Sequence, residues 1–553
     1  MTLDGFVPWP EEWAGRYRRE GYWRGETLGG LLRTWAAEHN DRVAVTGGGV
    51  AMTYSELDAA ADRLAFGLRR LGIGKGDRVV VHLPNVVEFP AISFALWRLG
   101  ALPVYALPAH REAEITYFAS HTEAVAYIAP ESFAGFDATV LAKAAREAAP
   151  SLRHVLLMGE GGDADLRRLM DATVAPDEAR AAADADPPAP SDVALFLLSG
   201  GTTGLPKLIP RTHDDYAYNL RASSEVCRLG PETVYLVALP AAHNFPLACP
   251  GILGTFSVGG RVVMTSSPRP EDTFTAIEAE GVTVTALVPT LVIRWLESAE
   301  RARFDLGSLQ VLQVGGARLN PEVARRVGPE LGCTLQQVFG MGEGLLNYTR
   351  LDDPDDVLIG TQGRPLSPAD EVLVVDADGR PVPAGEAGEL LTRGPYTIRG
   401  YYRAEEHNTR AFTPEGFYRT GDVVRADAAG NLTVAGRMKD LINRGGEKIS
   451  AEEIENLLLG HPSVSNAAAV AMPDAVMGEK VCAYVVLRPG AEPLGLDGLR
   501  DYLAGRGVAR FKWPERIETV GSLPLTKVGK VDKKALREDI AGQLENEGTG
   551  AGR

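Results

Sequence analysis

Residues 193–213 read VALFLLSGGTTGLPKLIPRTH. The opening run, Val193 to Ser199, is apolar and uncharged, the pattern of a strand buried on both faces. Residues 199–207 have the composition of an anion cradle. Gly200, Gly201 and Gly204 let backbone N–H groups turn toward anionic oxygens. Ser199, Thr202 and Thr203 add hydroxyl donors, and Lys207 adds a positive charge. A loop that leaves the end of a strand stands where α/β sheets hold ligands. It is not the common ATPase loop, in which GK is followed by Ser or Thr and opens a helix. Here Pro206 and Pro210 flank Lys207 and disfavour a continuous helix. Taken alone, the same residues describe a glycine-rich surface turn equally well.

The chain has 553 residues, too many for one ordinary core. Its formal charge of −16 argues against a dedicated nucleic-acid binder. Cys227, Cys249, Cys333 and Cys482 are widely spaced, which suits a reducing compartment and offers no metal cluster. The start, MTLDGFVPWPEEW, is not a signal peptide, and no apolar run is long enough to span a membrane. Cytoplasm is the expected compartment.

Strand and helix patterns alternate through the middle of the chain. DRVVVHL (77–83) reads as a strand, VVEFPAISFALWRLG (86–100) as a mostly apolar helix and ALPVYAL (101–107) as a strand. AAADADPPAP (181–190) reads as a linker or surface loop. From about Glu371, short strands separated by glycines suggest an antiparallel barrel or small sheet. From about Lys439 the pattern is that of a compact α+β unit. The expected fold class is therefore α/β. A large N-terminal domain of layered α/β subdomains, with a β-barrel-like subdomain, spans 1–438, and a small mobile α+β domain spans 439–553.

Five segments occur in order: SGGTTGLPK (199–207), FGMGEG (339–344), YRTGD (418–422), GRMKDLINRGGEKIS (436–450) and PLTKVGKVD (524–532). Together they resemble the adenylate-forming ligases, the superfamily of acyl-CoA synthetases, peptide-synthetase adenylation domains and beetle luciferases. The resemblance implies ATP bound between a large and a mobile small domain, a carboxylic acid activated as its adenylate, and pyrophosphate released. It implies that residues 199–204 and Lys207 hold the β- and γ-phosphates. Lys530 matches the family's catalytic lysine, whereas residue chemistry alone does not choose among Lys527, Lys530, Lys533 and Lys534. Glu343 would help bind Mg2+, although its residue type reads equally as a solvated glutamate. Asp422 would accept from the ribose hydroxyls, Arg437 would support that region, and Gly316 and Ala317 would leave room for a flat ring. Lys439 matches the hinge position, and Gly445 and Gly446 would line a thiol tunnel.

PAAHNFPLACPG (240–251) and VFGMGEGLLNYTRLDD (338–353) resemble the aryl-acid activators of siderophore assembly. That likeness places Asn244 at the ortho hydroxyl, His243 beside the carboxylate as a second catalytic candidate, and Phe245 and Val338 along the ring. Packed core histidine and phenylalanine are the plain alternatives. Cys249 and Leu346 stand where dihydroxybenzoate-type relatives commonly carry Ser and Val. Cys is a poor partner for a 3-hydroxyl, and leaving that group unsatisfied costs about 1–3 kcal/mol. Salicylate is thus the expected substrate, with 2,3-dihydroxybenzoate and a methylsalicylate as alternatives. The expected acceptor is the phosphopantetheine thiol of a separate aryl carrier protein, with coenzyme A as the alternative. A catalytically silent sensor would be expected to lack Lys530, Glu343 and Asp422, which are all present.

Overall fold

Val193–Leu198 is the strand its composition requires, and it sits one place in from the edge of a parallel sheet. The computed structural model describes residues 3–133, 135–199, 206–444, 447–474, 477–506, 508, 510–526 and 529–550, with backbone alone at 439, 447–448 and 548–550. Among these residues the sheet has seven strands. From the edge they run Leu208–Thr212, Val193–Leu198, Leu102–Ala106, Arg78–His82, Ala126–Pro130, His154–Met158 and Ala164–Asp165. Only Leu208–Thr212 runs antiparallel to its neighbour. It contains Pro210, which the edge position tolerates because one side of an edge strand needs no N–H.

A second sheet has nine strands among the described residues. Its parallel centre is Thr334–Gly340, Val311–Gly315, Val284–Leu287, Val234–Val237, Arg261–Met264 and Val43–Gly47, and antiparallel strands close both ends. The helix Glu88–Leu99 is buried from Phe89 through Leu99, as an all-round apolar helix must be. Its one buried cation, Arg98, is neutralised by Asp58 and by Asp62, which lies at 2.7 Å.

The barrel-like expectation is corrected. Glu371–Val375, Ala387–Arg393, Tyr418–Ala426 and Leu432–Arg437 form an open four-stranded antiparallel sheet in chain order. Closure is unnecessary because one face packs on Leu345 through Leu390, Val424, Leu432 and Val434. The loop expected at 181–190 begins late, since Ala181–Ala183 complete the helix Pro176–Ala183. The terminal unit is α+β as expected: Leu441–Arg444, Glu447–Ser450, Val464–Asp474, Gly478–Leu487 and Arg516–Thr519 carry the helices Ala451–Leu459, Leu496–Gly505 and Lys533–Gly550. Among the described residues, no helix is long and apolar enough to cross a membrane.

One side chain clasps the two large sheets together. Asn85 follows the strand Arg78–His82, and its Nδ2 lies 2.9, 3.0 and 3.1 Å from the carbonyls of Val237, Leu239 and Thr265. Its Oδ1 accepts from Ala241 N at 2.8 Å. Those acceptors end or follow two strands of the nine-stranded sheet, so the carboxyl ends of both sheets face one crevice. Asn85→Ala is expected to destabilise the protein by about 1–3 kcal/mol, because the clasped groups lose their partner. Asn85→Asp is expected to cost more, since it turns a carboxylate toward three carbonyl oxygens. Chemical denaturation checks both, and an alanine variant as stable as wild type would remove the clasp.

Candidate active site

The crevice collects the residues that follow the carboxyl ends of the parallel strands. Ser199 follows the seven-stranded sheet, and residues 238–243, Val288, Gly316 and Glu343 follow strands of the nine-stranded one. Ser199 and Lys207 close the neck of the glycine loop: Ser199 N donates to the Lys207 carbonyl, and Lys207 N donates to Ser199 Oγ, both at 2.9 Å. The Lys207 ammonium lies 5.8 Å from the centre of the Tyr401 ring. Gly200, Gly201, Thr202, Thr203 and Gly204 lie outside the described residues, as do Gly445 and Gly446.

Glu343 is buried, not a solvated glutamate. Its Oε1 accepts from the Tyr401 hydroxyl at 2.6 Å, and its carbonyl accepts from Ile398 N at 2.8 Å. Oε2 makes no hydrogen bond among the described residues. The turn before it is held from below by Arg211, a fully buried guanidinium. Arg211 pairs with Asp215 at 2.7 Å and donates to the Gly342 carbonyl at 3.0 Å. Asp215 also completes the cap of the helix His213–Val226 by accepting from Thr212 N, so the PRTH segment ties that helix start to the glutamate turn.

Asp422 is buried and faces Arg437 across the strand pair Tyr418–Ala426 and Leu432–Arg437, at 2.8 Å. Asp422 raises the Arg437 pKa, which keeps the guanidinium charged beside the crevice.

The aromatic side of the crevice is built on the short helix Asn244–Ala248. His243 caps it, with Nδ1 accepting from Phe245 N at 3.2 Å, which leaves the ring proton on Nε2. Burial pushes the His243 pKa down to about 4, and the nearby Lys530 ammonium pushes the same way, so the ring is neutral at pH 7. Asn244 is fixed at both ends of its amide. Its Oδ1 accepts from the Tyr216 hydroxyl at 2.8 Å, and its Nδ2 donates to Cys249 Sγ at 3.3 Å. Burial raises the Cys249 thiol to about 12, so it stays neutral. Phe245 lies against Gly315: a Cβ there would sit 3.0 Å from the Phe245 ring and 2.9 Å from the Val338 carbonyl. Leu346 folds over Gly340, its register partner on the strand that carries Val338.

Lys530 arrives from the small domain. Its hairpin closes through the Leu525–Val531 bridge and a 2.6 Å bond from Thr526 N to the Lys530 carbonyl. The Gly529 carbonyl accepts from Thr290 Oγ1 at 3.3 Å, and a Cβ on Gly316 would sit 3.5 Å from Lys530 Cε. Of the other candidate lysines, Lys527 lies outside the described residues and two go elsewhere. Lys533 pairs with Glu455 at 2.7 Å, and Lys534 faces Glu538. Lys439 lies in the tight turn Met438–Asp440, and Asp440 accepts from Arg537 at 3.0 Å.

Sequence reading missed Tyr216, Arg211, Gly315 and Tyr401. Gly315 had a signal, the doublet VGG, of which only the second glycine was singled out. Tyr216 and Tyr401 act through partners more than twenty residues away and had none, and the local pair of Arg211 with Asp215 does not announce its reach to the Gly342 carbonyl.

Two layered sheets sharing one crevice, with a small α+β domain delivering a lysine into it, define a two-domain AMP-binding enzyme. Residues 32–402 match the family described as AMP-binding enzyme, residues 453–530 match its C-terminal domain, and the chain belongs to that family. It is 55% identical over 543 residues to 2,3-dihydroxybenzoate-AMP ligase of Bacillus subtilis strain 168, covering 98% of this chain and 99% of the relative. It is 56% identical to a salicylyl-CoA synthase / salicylate adenylyltransferase of a Streptomyces species, covering 99% of each. It is 49% identical to salicyl-AMP ligase / salicyl-S-ArCP synthetase of Mycobacterium tuberculosis H37Rv, covering 97% of this chain and 94% of the relative.

The proximity of Lys530 to His243 has a titratable consequence. The folded-state pKa of His243 lies below its unfolded value of about 6.5, so its share of stability is complete above that pH and is lost as pH falls toward 4. Lys530→Ala removes a cation and is expected to raise the His243 pKa. Histidine-selective NMR, assigned with His243→Gln, reads this directly. An unmoved resonance would separate the two residues.

Proposed function

We propose that this chain uses ATP to activate an aryl carboxylic acid, preferably salicylate, as its adenylate, releasing pyrophosphate, and then passes the aryl group to the phosphopantetheine thiol of a separate aryl carrier protein. The observation that carries this is the seating of Lys530 against Gly316 and beside His243, at the crevice where the two sheets end. A carboxylate and an α-phosphate repel one another, and one ammonium placed between them offsets that repulsion as the acid's oxygen attacks phosphorus. The neutral His243 borders the carboxylate without adding a second charge that would bind the ground state equally well. The neck at Ser199 and Lys207 supports reading 199–204 as the β- and γ-phosphate loop, with pyrophosphate leaving on that side. Asp422, with Arg437, is read as the acceptor for the ribose hydroxyls.

Glu343 fits a divalent cation, with one oxygen held by the Tyr401 hydroxyl and the other making no hydrogen bond among the described residues. Among the described residues, no group of three or more His, Cys, Asp or Glu could hold a metal, which suits Mg2+ bound by one carboxylate and substrate phosphates. When bound, Mg2+ neutralises phosphate charge. We take 1–438 and 439–553 as the two domains, with Lys439 as the pivot. The four-stranded sheet ends at Arg437 and the small sheet begins at Leu441, with only the Met438–Asp440 turn between them. Four free, buried cysteines suit the reducing cytoplasm.

Lys530→Ala is expected to fold and bind ATP yet form adenylate at least about tenfold more slowly, equivalent to roughly 1.4 kcal/mol of barrier. Single-turnover adenylate formation is the measurement. Wild-type rates in a folded variant would end the catalytic assignment. An acid panel in pyrophosphate exchange (salicylate, 2,3-dihydroxybenzoate, benzoate and a fatty acid) tests the substrate class.

Overall identity does not choose the acid, because relatives of equal similarity are named for different ones. The reading toward salicylate rests on Cys249 and Leu346. Cys249 Sγ already accepts from Asn244 Nδ2. A serine there could take the same bond as acceptor and still donate its proton to a 3-hydroxyl. Cys249→Ser with Leu346→Val is therefore expected to shift the ratio of kcat/KM toward 2,3-dihydroxybenzoate by about 5- to 30-fold, worth about 1–2 kcal/mol. An unmoved ratio would show that these side chains do not read the 3-position. Coenzyme A is the second reading for the acceptor, favoured by the Streptomyces relative's name. Offering coenzyme A and a carrier protein separately distinguishes the two.

A further inference from the structure

Three pieces of the crevice, far apart in the chain, meet at Tyr401. Its hydroxyl donates to Glu343 Oε1 at 2.6 Å and lies 2.8 Å from the Tyr418 hydroxyl, and its ring lies under the Lys207 ammonium at 5.8 Å. A phenol has one proton. With that proton on Glu343, the contact with Tyr418 has a fixed sense: Tyr418 donates and Tyr401 accepts. Both phenols are buried. Tyr401 is itself locked in place. Its N–H donates to Asn408 Oδ1 and its carbonyl accepts from Asn408 Nδ2, both at 2.9 Å. Ile398 N, three residues earlier, holds the Glu343 carbonyl.

We propose that Tyr401 is the positioning residue for Glu343: a directed hydroxyl relay, Tyr418 to Tyr401 to Glu343, holds one carboxylate oxygen and turns the other toward the cation that accompanies ATP. The inference rests on the reading of Glu343 as the magnesium carboxylate. Tyr401 touches neither substrate nor metal. It fixes the orientation of the group that does, and it ties that group to the Tyr418–Ala426 strand carrying Asp422. Without the hydroxyl, Glu343 is free to rotate away and must be ordered by the incoming metal nucleotide, which weakens binding.

Tyr401→Phe isolates this role, because it keeps the ring under Lys207 and deletes only the hydroxyl. ATP binding is measured by calorimetry without acid, in the presence and absence of Mg2+, so no turnover is involved. The variant is expected to lose about tenfold in affinity for magnesium-ATP, the scale of a hydrogen bond to a charged group. Binding of ATP alone and of salicylate should stay within about twofold, a change worth less than half a kcal/mol. Tyr418→Phe, which removes the relay's first donor, should move magnesium-ATP binding in the same direction by less, and it serves if Tyr401→Phe does not fold. Unchanged magnesium-ATP affinity in the variants would overturn the proposal, as would equal losses of salicylate and ATP binding with a lowered Tm. Glu343→Gln separates the premise from the inference. If it abolishes the magnesium dependence while Tyr401→Phe does not alter it, the relay falls and the metal reading stands. If Glu343→Gln leaves the magnesium dependence intact, both fall.

Discussion

The architecture depends on one constraint: the parallel strands of two separate sheets must end at the same crevice. Loops at strand ends carry the Ser199–Lys207 neck, the His243 segment, Gly316 and Glu343, so any slip between the sheets would scatter all four. Asn85 is the clearest local expression of that constraint. One amide contacts four backbone groups at or just after the ends of strands of the other sheet. Nothing in the reactive residues themselves could keep the two layers aligned.

Charge in the crevice is rationed. Arg211 is fully buried but spent on Asp215 and the Gly342 carbonyl, and Arg437 is matched by Asp422. His243 is held neutral, and Cys249 stays a thiol. Lys530 therefore enters a region where Arg211 and Arg437 are already matched by carboxylates, and it arrives on a hairpin from a different domain. In a poorly screened site its influence on a bound anion is larger than at the surface. Withdrawing that hairpin would change the local potential without altering the walls.

The family was legible because five short motifs occur in one order, whereas the glycine loop or the lysines of PLTKVGKVD taken alone left their plain readings open. The α/β layering was legible from continuous apolar strands alternating with helices. Closure of a sheet is different, since it depends on whether a first and a last strand meet. The run from Glu371 to Arg437 had the short-strand pattern of a barrel yet forms an open sheet, because Leu345 of the main body covers its apolar face. Tyr401 and Tyr216 were illegible for a related reason. Their hydroxyls reach partners 58 and 28 residues away, and no periodicity encodes such a pair.

Pro210 does more than interrupt a helix. Alternation along Leu208–Thr212 puts its nitrogen on the same outward side as the Leu208 carbonyl, which accepts from Tyr402 N at 3.0 Å. An edge strand normally offers a row of unpaired N–H and C=O groups on which another chain can add a strand. Here one donor is missing and one acceptor is already occupied by the segment that positions Glu343. This edge of the seven-stranded sheet is thus blunted by the same stretch of chain that serves the crevice. Guarding against edge-to-edge association and shaping the site draw on one short piece of backbone.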